Sequence, residues 1–116
     1  MTRFSRSEVI LVESAFSGTP GRKRRPAVVL SADEFHHAGT KLIVVGLTGN
    51  LAQPTRTGDF NIQFWREAGL SKPSMFRGVL VTVDQLDIVR PMGTLDSTDF
   101  QRLEETIARL LGFQTL

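Results

Sequence analysis

The sequence predicts one mainly β domain, a small antiparallel barrel or sandwich completed by a C-terminal α-helix. Three observations carry this. Short apolar runs rich in branched side chains recur between Gly-, Pro- and polar-rich segments, as strands do between turns. The spacing changes to three- and four-residue steps only near the C-terminus, as it does on one face of a helix. A length of 116 residues with 41% hydrophobic content suits one core in a single domain spanning 1–116.

Val9-Ile10-Leu11-Val12 reads as the first strand. Ser14–Arg25 follows as a flexible loop, since Ser17-Gly18-Thr19-Pro20-Gly21 lies inside it. The loop ends in the cationic run Arg22-Lys23-Arg24-Arg25 and enters a second strand, Pro26–Leu30. Pro26 has no N–H and suits the first residue of that strand. It also biases Arg25 toward an extended backbone, which ties Arg25 to the core and leaves the other three cations on the approach loop. Ser31–Thr40 is a polar connection with room for one helical turn, and Leu42–Leu47 is a third, central strand.

Thr48–Gly58 is a second loop, with Gly49-Asn50 and Pro54. Phe60-Asn61-Ile62 alternates as a fourth strand would, and Phe64–Gly69 is a short turn or helix that packs Trp65. Ser74–Arg77 and Val79–Val83 are two strands, or one bent around Gly78. Ile88-Val89 and Met92 mark a last edge segment. In the terminal helix, Phe100, Leu103, Ile107, Leu110 and Leu111 form the apolar face. Asp96 is the expected N-cap, Asp99 completes a capping box, and Gly112 ends the helix in a left-handed conformation.

A formal charge of +2 says little by itself, but cations dominate Met1–Arg25 and acids gather in Asp84–Glu105. With no cysteine, disulfides and thiolate metal sites are excluded. No apolar run approaches the length of a membrane span, and Met1–Arg6 lacks the apolar region of a signal peptide. The expectation is a cytoplasmic protein with no membrane partner.

The histidines are His36 and His37, whose side chains diverge on any regular backbone. They suit a solvated loop better than a shared metal ion or an acid–base pair. Asp84 and Asp87 read as turn residues rather than as the clustered carboxylates of a two-metal site. Neither metal nor cofactor is expected.

The cations carry the chemistry. Arginine offers a planar, permanently charged fork matched to phosphate. Arg22, Lys23, Arg24 and Arg25 make a candidate phosphate track, which Arg56, Arg66, Lys72 and Arg77 can extend. Thr48 places a hydroxyl at a strand end, and Gly49 and Asn50 turn the chain beside it. Phe16, in the first loop, offers a ring for a base to stack on.

Together these residues resemble the MazF/PemK/Kid family of toxin ribonucleases. The likeness runs from about Ser7 to Gly112. It is carried by the first strand, Arg25-Pro26 with Ala27–Leu30 and Ser31-Ala32-Asp33, and the Leu47-Thr48 strand end. It continues through Gly69-Leu70-Ser71-Lys72-Pro73-Ser74 before Arg77, then Val81-Thr82-Val83, Met92-Gly93-Thr94-Leu95 and the terminal helix.

The resemblance implies an SH3-like barrel of the CcdB/PemK type, a homodimer, and a MazE-like cognate antitoxin whose disordered tail blocks the site. It implies metal-independent cleavage of single-stranded RNA, with attack by the 2′-OH and a 2′,3′-cyclic phosphate product. The functional Arg falls on Arg25 and the functional Thr on Thr48, and an Arg that some members use falls on Arg77. Ser7-Glu8 stands where many members have Gly-Asp, and Val79 stands where some have an Asp. The rival of the same fold is a CcdB-like toxin that binds DNA gyrase and cuts nothing. The internal position of the single Trp, and a C-terminus ending Leu111-Gly112-Phe113-Gln114-Thr115-Leu116, favour the ribonuclease. A third reading is an inactive RNA-binding barrel.

Overall fold

A computed structural model of the chain describes residues 4–14, 21–37, 39–51 and 59–113, the side chains of Ser14 and His37 excepted. Its strands are β1 (Glu8–Ser14), β2 (Lys23–Val29), β3 (Lys41–Thr48), β4 (Phe60–Asn61), β5 (Met75–Asp84) and β6 (Ile88–Thr94). Helix α1 (Asp33–His37) joins β2 to β3, and helix α2 (Ser97–Leu111) ends the fold. The strands form one antiparallel sheet in the order β4-β5-β3-β2-β1-β6. The mainly β class with a C-terminal helix is as expected, with β3 near the centre. The closed barrel is not: β4 offers only two residues and pairs with β5 alone, so among the described residues the sheet has two ends.

Both faces of this sheet are buried, because apolar residues occupy successive positions rather than alternate ones. Val9, Val28 and Val45 pack with Phe76, Leu103 and Ile107 on one side. Ile10, Val12, Ala27, Val29 and Val44 pack with Phe4 and Val83 on the other. Two-sided burial of this kind produces the unbroken apolar runs that mark these strands in the sequence.

β5 is one bent strand. Val45 pairs with Leu80 and Leu47 with Phe76, so three residues of β5 stand against Gly46 alone. Gly78, at φ 69°, takes the left-handed turn that this bulge requires.

The second strand differs from expectation. β2 begins at Lys23, so Lys23, Arg24 and Arg25 are strand residues, and Pro26 sits inside the strand. Cross-strand pairing explains this. Glu13 faces Arg24 in the β1–β2 register and their side chains form an ion pair at 3.1 Å. Arg22 adds a pair with Asp87 at 2.8 Å and donates to the Glu13 carbonyl at 2.8 Å. Pairing with β3 begins only at Ala27, so Lys23–Pro26 is locally an edge, where a residue without an N–H is tolerated.

α2 starts as expected: the Asp96 side chain accepts the Thr98 N–H at 2.9 Å, and Gly112 closes the helix at φ 79°. The capping box does not form. Asp99 is buried and accepts the backbone N–H groups of Gln63 at 3.0 Å and Phe64 at 2.9 Å. The buried face is also shorter than the spacing suggests. Leu103 and Ile107 are in the core, whereas Leu110 and Leu111 are 39% and 51% exposed.

His36 overturns the expectation of a solvated pair. It is buried, with Nδ1 2.8 Å from the Phe4 carbonyl and Nε2 2.6 Å from Ser31 Oγ. A carbonyl only accepts, so the Nδ1–H donates to it. The Ser31 oxygen also accepts the Ile43 N–H at 2.9 Å. His36 thus ties the N-terminal segment to the β2–α1 corner.

Candidate functional site

Where β2 and β3 stop pairing, the sheet opens into a groove of about 500 Å³. Ala27 and Gly46 are the last pair before the strands part, and Arg25 and Thr48 each lie two residues beyond it. Both line the groove. Arg25 is half-buried, as expected for a residue held between Arg24 and Pro26 in a strand. The floor is apolar, from Leu11, Leu47, Leu70 and Met92, and the walls carry Lys23, Arg24, Arg25, Lys72 and Arg90. No carboxylate lines it among the described residues.

The Thr48 hydroxyl is already oriented. Its oxygen accepts the Asn50 N–H at 3.1 Å, which closes a small side-chain turn around Gly49. A hydroxyl has one proton to donate, and this bond does not use it. That donor, the guanidinium of Arg25 and the surrounding cations make a site complementary to a phosphate group.

The wall formed by residues 69–72 is held by backbone contact. At Gly69, φ is 84°, and a Cβ built there would overlap the Met92 carbonyl. A Cβ on Gly93 would lie 2.5 Å from the Ala68 carbonyl. Two glycines facing one another allow this segment to touch β6 directly, which brings Leu70, Ser71 and Lys72 to the groove beside Arg90 and Met92.

Of the residues singled out from the sequence, Lys23, Arg24, Arg25, Thr48, Gly49 and Asn50 meet at this groove. Arg22 does not line it and is paired with Asp87. Phe16 lies outside the described residues, as does Arg56. Arg77 is also absent from the lining. Its Nη1 is 3.4 Å from Asp59 Oδ2, with the two side chains 13% and 1% exposed. Arg66 is elsewhere, stacked over Trp65 at 4.9 Å. Lys72 was visible in the sequence as a scattered cation only, and Arg90 not at all. Their one common signal is the proline that follows each, as Pro26 follows Arg25.

Among the described residues, no three of His, Asp and Glu gather as a metal site would require. No helix among them is long and apolar enough to cross a membrane.

Residues 5–111 match the family model described as PemK-like, MazF-like toxin of type II toxin-antitoxin system. No curated protein matches the chain in sequence. Among solved structures, it is similar to an endoribonuclease from a mycobacterial species, with TM-score 0.77, 13% identity, and coverage of 100% of this chain and 98% of that one. A mycobacterial endoribonuclease in complex with its cognate antitoxin aligns with TM-score 0.74 and 14% identity over 98% of this chain and 100% of that one. A MazE–MazF structure from Deinococcus radiodurans aligns with TM-score 0.70 and 14% identity over 95% of this chain and 96% of that one.

Proposed function

Because the chain belongs to the PemK-like, MazF-like toxin family of type II toxin–antitoxin systems, we propose that its groove binds and cleaves single-stranded RNA without a metal ion. The observation that carries this reading is that Arg25 and Thr48, from neighbouring strands, line one cationic groove with no carboxylate among its described residues. Folds do not dictate chemistry, so the reading stands on the groove.

RNA supplies its own nucleophile, the 2′-OH. Attack forms a 2′-O–P bond and breaks the P–O5′ bond. The 2′ proton leaves to a base, and the departing 5′ oxygen takes one up. The products are a 2′,3′-cyclic phosphate and a 5′-OH. Negative charge grows on the non-bridging oxygens on the way, and Arg25 is the group to stabilise it. A guanidinium hardly deprotonates, so Arg25 is not the base. Thr48, its oxygen engaged by the Asn50 N–H, donates its proton toward the phosphate and fixes its position. An unpaired RNA, with its backbone free to bend and its bases free to splay, suits such a groove.

The mycobacterial and Deinococcus structures with antitoxins support a MazE-like antitoxin as the partner; in this reading its disordered tail enters the same groove and the chain assembles as a homodimer. The decisive experiment incubates the purified protein with a long RNA in EDTA and maps the ends formed. Fragments with 2′,3′-cyclic phosphates are expected. Cleavage of an oligonucleotide whose scissile 2′-OH has been removed would contradict the mechanism.

A further inference from the structure

Three cations of the groove, Arg25, Lys72 and Arg90, are each followed by a proline, and these are all the prolines among the described residues. Proline confines the residue before it to extended backbone. Each of these cations has therefore given up backbone freedom before a ligand arrives, and less remains to be lost on binding. Arg25 and Arg90 lie in strands, where pairing sets the backbone as well. Lys72 lies in a loop. There Pro73 does this work, together with the Ser74 hydroxyl, which donates to the Lys72 carbonyl at 3.0 Å.

The Lys72 side chain has a prepared path. A Cβ built on Gly49 would fall onto Lys72 Cε, 2.9 Å from Cδ and 3.0 Å from Nζ, and these are its three nearest atoms. Gly49 does not have a positive φ, so its backbone does not call for glycine. The missing side chain is what matters: it leaves a notch through which the lysine reaches the backbone beside Thr48. Among the described residues Lys72 forms no ion pair. An ammonium brought without a counter-charge into a groove that already holds Arg25 and Arg90 is repelled by them, and a bound anion reverses the sign of that interaction.

We infer that Lys72 is a substrate-binding residue that contacts the same phosphate as Thr48, and that Gly49 is the notch that admits it. This rests on the reading of the groove as a site for single-stranded RNA, and it adds the cation that faces the phosphate from the Thr48 side.

The test uses an all-2′-deoxy oligonucleotide copied from a mapped cleavage site, titrated over a range of salt against wild type, Lys72→Met, Gly49→Ala and the double variant. Lys72→Met weakens binding about tenfold, the loss of one charge-assisted contact, and lowers the log–log salt slope by about 0.7. Gly49→Ala does the same, because the displaced atoms are the far end of a flexible side chain and the fold has no reason to suffer. In the Lys72→Met background Gly49→Ala adds nothing. Unchanged affinity and slope in Lys72→Met, while wild type binds, overturn this inference and leave the proposed activity standing. Independent, additive losses overturn the notch. A wild type that neither binds nor cuts RNA defeats both. A loss in Lys72→Met seen only with a polyglutamate peptide overturns the inference in favour of an acidic protein partner.

Discussion

Asp99 holds Phe64 from 35 residues away: a carboxylate oxygen of α2 accepts the Phe64 backbone N–H at 2.9 Å, and its other oxygen accepts that of Gln63 at 3.0 Å. The Asp99 side chain is 1% exposed. Removing it strands two N–H groups, each costing about 1–3 kcal/mol. Asp99→Ala is expected to destabilise the fold by about 2–6 kcal/mol, and Asp99→Asn, which keeps one acceptor, by about half as much. Denaturant midpoints measured at constant m-value check this.

Arg25→Ala and Thr48→Val remove the guanidinium and the hydroxyl from the groove. If each acts on the transition state, each lowers kcat about a hundredfold or more, as the loss of one preorganised donor does. Thr48→Ser keeps the hydroxyl and most of the rate. Single-turnover cleavage of a fluorogenic RNA separates the three. An unchanged rate for either of the first two takes that residue out of the site.

Arg77 presents a choice between structure and chemistry. The resemblance gives it a catalytic role, while its geometry gives it Asp59, a buried partner, and no place on the groove lining. Arg77→Met removes one member of that buried ion pair and is expected to cost about 3–5 kcal/mol of stability, with cleavage per folded molecule unchanged. The opposite result, full stability with lost cleavage, returns Arg77 to the reacting centre.

Asp84 links stability to pH. It accepts the Leu86 N–H at 2.9 Å and pairs with Lys41 at 3.1 Å, and these hold its carboxyl below the ordinary value of 3.8. A group whose pKa is lower in the folded state binds its proton more readily when unfolded. Its contribution is therefore present above about pH 3.8 and disappears as pH falls through the lowered value. Asp84→Asn retains the turn cap but not the charge. The gap in thermal midpoint between wild type and Asp84→Asn is expected to narrow from pH 7 to pH 3.

Ser7 has φ 75°, a left-handed conformation that favours glycine. The position is fixed from both sides, since the Ser7 N–H donates to the Val29 carbonyl at 2.9 Å and its carbonyl accepts the Leu95 N–H at 2.8 Å. Ser7→Gly relieves about 1–2 kcal/mol of backbone strain and gives back part of it as chain entropy. A net gain of about 0.5–1 kcal/mol in unfolding free energy is expected.

The elements were legible where one physical signal dominated. Val9–Val12 and Leu42–Leu47 are strands buried on both faces, and nothing else in the sequence competes with that reading. Asp96 and Gly112 cap α2 because caps depend on neighbours a few residues away. What escaped depends on contacts between distant parts of the chain. Asp99 has the spacing of a capping box, but its N–H partners come from another segment. Leu110 and Leu111 continue the apolar period past the point where α2 leaves the core. Arg22–Arg25 have the composition of a solvated loop, yet Lys23–Arg25 lie in β2, with Arg24 paired to Glu13 and Arg22 to Asp87. At the groove, Arg25 and Thr48 were legible because each is followed by a residue with a strong local effect, Pro26 or Gly49. Lys72 was legible only as one of several cations that could extend the track, because its meeting with Gly49 is a fact of folding alone.

The bulge in β5 sets a distance as well as a bend. Gly46 faces three residues where a regular ladder would give it one, so two residues of surplus chain lie between the part of β5 that pairs with Val44 and Val45 and the part that leads back to Ser74 and Lys72. Each strand residue advances about 3.3 Å. Trimming that surplus by two would draw the lysine back by roughly one nucleotide spacing without disturbing the inward or outward facing of any side chain, whereas trimming it by one would turn the start of the strand inside out. The reach of the lysine along the groove can therefore be lengthened or shortened through this spacer only in pairs of residues.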